Sequence, residues 1–491
     1  MLYPTPGSHA SLHLSRRDRL TRALAALGVA SLALCLPHPF ALAGEAERAA
    51  PSTPNPGAQP QGQAPEGWTT ESPRAEVAPA FAYNPKGGPD GQGSFVIEAD
   101  EREGLIGWWR KTIPVRGGRT YQFTVKRKAS GSENPRLMAV PRLTWQNAKG
   151  NSVRREKPTE GSYNRKGGPP IALPEFPPDL GQDEQGWTTV SATYHVPAQA
   201  AQALVELSYQ WQASGRVEWA GVSLEEVSPL PPRKAKLATV HLIPANGTTN
   251  QEMCEQFAKP IEEAARQGAD LVVLPECLTH MRRKATRAEC AEPIPGPSTD
   301  YFGKLAKQHD LYIVAGLLER EKHLIYNVAV LIGPDGGVVG KYRKVTLPRG
   351  EVTGGVTPGH EYPVFQTRFG RVGMMICYDG FFPEVARALS NRGAEVIAWP
   401  VAGCNPLLAQ ARACENHVYL VSSTYTDPSA DWTRSAIYAH DGRPLAQAEK
   451  WGTIAIAEVD LNEPIHWHSL GEFKAQLLRH RPPAPSEPES H

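Results

Sequence analysis

An all-β segment followed by a larger α/β domain is the fold class that this 491-residue chain predicts. Three observations carry it. Between the proline-rich stretches near 45–65 and 229–232, short β-rich runs with a period near two alternate with Gly, Pro and Asn. After Arg233 the texture changes to apolar strands alternating with helical patterns. The strands there are apolar enough to be covered on both faces, as in a parallel sheet.

The elements follow in chain order. Residues 1–43 read as an export signal: Arg16, Arg17, Arg19 and Arg22 precede the apolar run Ala23 to Leu36, and Ala41-Leu42-Ala43 supplies small residues at the cleavage positions. That run is too short to span a bilayer. Ser15-Arg16-Arg17-Asp18-Arg19-Leu20 is also similar to a twin-arginine signal, and Leu34 before Cys35 argues against a lipobox. The expected location is periplasmic or extracellular. Residues 44–65 read as a linker rich in Pro, Gln and Ala.

Residues 66–228 form the β-rich domain, with strands expected at Phe95-Val96-Ile97, Thr120 to Val125, Thr188 to Val196 and Ala203 to Tyr209. This texture suggests a jelly-roll-like sandwich. The stretch Gly150 to Gln185 reads as a long loop. Seven tryptophans fall in the domain: Trp68, Trp108, Trp109, Trp145, Trp187, Trp211 and Trp219. They either fill a sandwich core or offer flat faces to sugar rings, as in carbohydrate-binding modules of the galactose-binding-like type, which the region loosely resembles. A glycan partner stays open on that second reading.

The α/β domain covers 236–478. Its expected strands are Leu237 to Ile243, Leu271 to Leu274, Leu311–Leu318, Val328–Ile332, Val372–Ile376, Val396–Trp399 and Tyr419–Ser423, with a helix over Glu252 to Gln267. Residues 479–491 read as a frayed tail. With 52 Lys+Arg against 51 Asp+Glu, the net charge of +1 argues against a nucleic-acid or polybasic membrane binder.

Four residues at strand ends carry the chemistry. Cys377 follows Val372-Gly373-Met374-Met375-Ile376 and precedes a helix-like stretch from Pro383, a turn that aims backbone N–H groups at a developing anion. Glu276 ends Leu271-Val272-Val273-Leu274-Pro275, Lys344 lies in Gly340-Lys341-Tyr342-Arg343-Lys344-Val345, and Glu351 ends Leu347-Pro348-Arg349-Gly350. Taken singly, a cysteine after a strand is usually a small core residue, and a strand-end carboxylate or loop lysine is usually solvated.

Their order and contexts resemble the nitrilase superfamily of carbon–nitrogen hydrolases: Leu274-Pro275-Glu276, Tyr342-Arg343-Lys344 with Gly350-Glu351, and Ile376-Cys377-Tyr378-Asp379 with Pro383-Glu384. Ala411-Arg412-Ala413-Cys414-Glu415-Asn416 looks like that family's Arg-Ala-x-Glu-Asn helix. The likeness runs from about Lys236 to Leu461. It implies a four-layer αββα sandwich paired into a homodimer or higher oligomer, with a Glu276–Lys344–Glu351–Cys377 tetrad and no metal or organic cofactor. In the roles so implied, Glu276 is the base for the Cys377 thiol, and Lys344 with the backbone N–H of Tyr378 holds the oxyanion. Glu351 orients Lys344. The product of attack is a thioester, later hydrolysed.

Tyr378-Asp379 after the nucleophile resembles the amidase and carbamoylase branches, so the expected substrate is an amide or carbamoyl compound. Gly380-Phe381-Phe382 stands where carbamoyl-amino-acid hydrolases often place Arg, which points away from an acidic substrate; Thr346 stands where many relatives have His. Tyr378, Phe381, Phe382 and Trp399 are the candidate substrate-binding residues, with the Phe pair equally able to pack the following helix. Acyl transfer from the same thioester and a silent scaffold that binds glycan are the competing functions. After export, Cys254, Cys277, Cys290, Cys377, Cys404 and Cys414 remain, and Cys277–Cys290 is a candidate bridge.

Overall fold

The computed structural model describes residues 62–132, 134–157, 169–468 and 470–481, together with the backbone of Asn55–Pro56. The expected export segment, most of the linker and the tail beyond Arg481 lie outside the described residues.

The N-terminal region is strand-rich. One antiparallel sheet runs in the order Asn55–Pro56, Thr69–Ser72, Ile106–Pro114, Gln202–Gln210, Ala139–Gln146. The other runs Ala80–Asn84, Ser94–Glu98, Arg216–Val227, Thr120–Ser130, Thr188–His195, Asp179–Gln182. Alternate residues of both sheets meet in one core around Trp109, Trp145, Trp219, Phe123 and Val190. Three tryptophans are thus fully buried, Trp187 nearly so, and Trp211 is exposed. The expected loop over Gly150–Gln185 is corrected in part. Asp179–Gln182 pairs with Thr188–His195 as an edge strand, and because all four residues are exposed, no apolar alternation announced it.

The second domain contains two six-stranded sheets. In the first, Lys234–His241, Leu271–Val273 and Tyr312–Glu321 run parallel at the centre. Antiparallel strands Leu324–Ile332 and Val338–Arg343 extend one side, and Thr453–Asp460 the other. In the second, Arg371–Met374, Val396–Pro400 and Tyr419–Ser423 are parallel, flanked by Val364–Gln366 on one side and by Ala436–Tyr438 and Pro444–Gln447 on the other.

The strands of the first sheet are apolar on both faces for a visible reason. Leu237, Leu271, Val273 and Val314 share a core with Val372, Met374, Ile397 and Leu420 of the second sheet. Their neighbours Ala238, Val240, Val272 and Ile313 pack instead on Phe257, Ile261 and Phe302 of the helical layer. The single helix expected over Glu252–Gln267 is two, Asn250–Glu255 and Ala258–Arg266. Pro260 lacks an N–H to continue the first helix and fits the opening turn of the second.

Candidate active site

The site lies where the parallel strands of both sheets end, the place where open α/β sheets present side chains from several strands to one crevice. Glu276 follows Leu271–Val273, Lys344 follows Val338–Arg343, Glu351 sits in the one-turn helix Arg349–Val352, and Cys377 follows Arg371–Met374. Gly316 on the neighbouring strand lets Glu276 come close: a Cβ there would stand 2.6 Å from the Glu276 Cα.

Three of the four form one buried charge cluster. Lys344 Nζ donates to Glu276 Oε1 and to Glu351 Oε1, each at 2.8 Å. Glu276, Lys344 and Glu351 are 4%, 1% and 6% exposed, so water screens these bonds little. Burial on its own would discharge Lys344, but the negative charges of Glu276 and Glu351 outweigh it and hold the ammonium above its ordinary range. Burial raises the Glu351 carboxyl, and Lys344 only partly offsets that.

Cys377 opens a 3₁₀ turn, Cys377–Phe381, before the helix Pro383–Asn391. Its φ of 40° lies in the left-handed region, a strained conformation for a residue with a Cβ. Asp379 holds that turn by accepting from Ile376 N (2.9 Å), Tyr342 Oη (2.8 Å) and Thr346 N (3.0 Å). Thr346 thus braces the nucleophile turn. Arg412, in the helix Pro406–Asn416, donates to the Gly380 carbonyl at 3.1 Å and pairs with Glu415. The Cys377 thiol donates to the Gly403 carbonyl at 3.7 Å. Burial and the Glu276 charge push it well up, against the opposing influence of Lys344 and the Ala402 and Gly403 amides. A thiol so disposed needs a base at the moment of attack.

The aromatic residues divide. Tyr378 packs against Phe381 and Phe382, with ring centroids 5.4 and 5.2 Å away, and both phenylalanines are more than a third exposed. Trp399 does not join them. It is fully buried in the core, its ring lying beneath Gly380, because its strand turns it inward; it supports the turn and presents no face to a substrate. The candidate bridge is also corrected: Cys277 and Cys290 share a small apolar cluster with Leu318, but both thiols are free.

Three contributors escaped the sequence reading. Asn327 Nδ2 donates to Glu276 Oε1 (2.8 Å) and Glu351 Oε1 (3.1 Å), bridging the two carboxylates. The backbone N–H of Ala402 donates to Glu276 Oε2 at 3.0 Å, and the Gly403 carbonyl faces the thiol. Asn327 had a visible signal as a polar residue inside the buried run Leu324–Ile332. Ala402 and Gly403 act through backbone and had only their place after the strand Val396–Pro400.

Comparison with known proteins gives the family. Residues 236–468 match the family model for carbon-nitrogen hydrolases. Omega-amidase NIT2-A of Xenopus laevis is 34% identical over 264 residues, covering 50% of this chain and 93% of that protein. Human omega-amidase NIT2 is 34% identical over 237 residues (44% and 84%), and a nitrilase of Pyrococcus abyssi 38% over 214 residues (41% and 81%). Among solved structures, Saccharomyces cerevisiae Nit3, of branch 10 of the nitrilase superfamily, aligns with a TM-score of 0.42 at 27% identity, covering 46% of this chain and 90% of that one.

The chain belongs to the carbon-nitrogen hydrolase family of the nitrilase superfamily. It is a carbon–nitrogen hydrolase, and the strand-rich region before residue 236 lies outside the family match.

Proposed function

We propose that this enzyme is an exported amidase that cleaves a non-peptide carbon–nitrogen bond, of an amide or carbamoyl compound, through a thioester on Cys377. The observation that carries the reading is the Lys344 ammonium, held at 2.8 Å by both Glu276 and Glu351. In this mechanism Glu276 takes the thiol proton as Sγ adds to the substrate carbonyl. Lys344 and the Tyr378 N–H stabilise the oxyanion. The C–N bond breaks as Glu276 returns the proton to the departing amine or ammonia, leaving the thioester. Glu276 then deprotonates a water that attacks it, and the carboxylic acid leaves with Cys377 restored as the thiol. Glu351 and Asn327 keep Lys344 and Glu276 in register.

Tyr378, Phe381 and Phe382 serve as the apolar approach to the site. The domain reading that goes with this function is a four-layer αββα sandwich, assembled as a homodimer or larger, behind a jelly-roll-like domain. Export rests on the arginine cluster and apolar run in residues 1–43.

Ammonia release from a panel of amides, carbamoyl compounds and nitriles tests the reading. Cys377→Ala should abolish release, at least about a 10⁴-fold loss, with the circular-dichroism spectrum unchanged. Undiminished turnover in that variant would refute the nucleophile assignment.

A further inference from the structure

We propose that Trp432 sets the substrate class of this enzyme, walling the Gly403 side of the nucleophile with an aromatic face that selects neutral amides bearing an apolar or aromatic group. The inference rests on the amidase reading above and adds to it a residue that no motif supplies.

Contact with the nucleophile runs through Gly403. Its carbonyl accepts the Cys377 thiol at 3.7 Å, and a Cβ on it would stand 2.3 Å from Trp432 Cε3, so the indole lies against the bare Cα. The thiol and the indole thus both bear on Gly403, one on its carbonyl and the other on its Cα. Trp432 is nevertheless 49% exposed, a large apolar side chain kept in water on the segment that holds the thiol.

The loop that carries Trp432 is fixed to the same segment. Thr433 N donates to the Cys404 carbonyl at 2.7 Å, and Thr424 Oγ1 donates to the Ala402 carbonyl at 2.8 Å. Ala402 is the residue whose N–H holds Glu276, so the wall and the base share one support.

Charge points the same way. Among the described residues, the side chains that hydrogen-bond Glu276 or Glu351 include one cation, Lys344, and both carboxylates already engage it. A substrate carboxylate entering here would meet two acids whose shared ammonium is already engaged, a repulsion that a neutral apolar group avoids.

The test measures kcat/KM of the full chain for propionamide, phenylacetamide and succinamate. The wild type should prefer phenylacetamide. Trp432→Ala should lower kcat/KM for phenylacetamide about tenfold or more, through KM, and leave propionamide within about twofold. Trp432→Arg, an independent variant, should shift preference toward succinamate by about tenfold or more. Equal losses on both neutral amides in a variant with an unchanged melting temperature would overturn the inference, as would a wild type that prefers succinamate. A wild type silent on every amide would overturn the amidase reading itself, and this inference with it.

Discussion

In the strand-rich domain buried charge is settled pairwise. Arg127 meets Asp179, Arg142 meets Glu206, and Arg155 meets Glu175, which also accepts from Trp145 Nε1 at 3.1 Å. In the hydrolase domain Lys344 stands between two carboxylates, beside a cysteine whose thiol is held up by burial and whose backbone sits at φ 40°. The first arrangement closes its accounts and leaves nothing to react. The second concentrates charge, strain and a nucleophile at the ends of parallel strands, where side chains from different strands meet. The contrast separates ion pairs that hold a fold from ion pairs that serve chemistry, and each can be broken selectively.

The largest effect belongs to Lys344. Lys344→Met leaves two buried carboxylates without their shared cation and should cost about 3–5 kcal/mol of stability, read by urea denaturation. Activity should fall by about 10³-fold or more, because the oxyanion donor is gone. Adding Glu276→Gln and Glu351→Gln should restore most of the stability and none of the activity. A triple variant as unstable as the single one would show that packing, not charge, governs the cluster.

Arg155 offers the matching test in the other domain. Arg155→Met leaves Glu175, which is 2% exposed, without its cation and should cost about 2–4 kcal/mol. The kcat of the folded fraction should stay within about twofold of wild type. A large fall in kcat at full folding would mean that the strand-rich domain takes part in catalysis.

A smaller effect concerns acid. His417 and His440 stack at 4.5 Å between centroids, both almost fully buried in the hydrolase domain. Burial lowers His417 from 6.5 to about 3 and holds His440 well below its ordinary range as well. Between pH 6.5 and about 3 the unfolded chain therefore binds protons that the folded chain refuses, so stability rises with pH and is lost on acidification through that window. His440→Phe should flatten the slope of melting temperature between pH 7 and pH 5. An unchanged slope would place the acid-labile groups elsewhere.

How much of this was legible follows from what each residue contributes. Glu276, Lys344 and Cys377 follow strands and Glu351 a short loop beyond one, each with side-chain chemistry, and their order along the chain survives as a pattern. Asn327 was within reach in principle, yet one Asn in a buried strand has several ordinary explanations until its two carboxylate partners are placed. Ala402 and Gly403 work through amide and carbonyl groups that every residue carries, so they leave no compositional trace. Trp399 was misread because a strand-end aromatic near the nucleophile suggests a mouth, while its strand turns the ring into the core. The edge strand Asp179–Gln182 is exposed throughout, so hydrophobic patterning had nothing to record. Trp432 sits on a loop whose approach to Gly403 is set by Thr424 and Thr433, contacts that only the folded chain makes.

Rapid quenching during turnover of an accepted amide, followed by intact and peptide mass spectrometry, addresses the chemistry most directly. The mass of the acyl group should appear transiently on the peptide containing Cys377 and be absent from Cys377→Ala. Steady ammonia release with no adduct on that sulfur, or with the acyl group on another residue, would contradict a reaction that passes through Cys377.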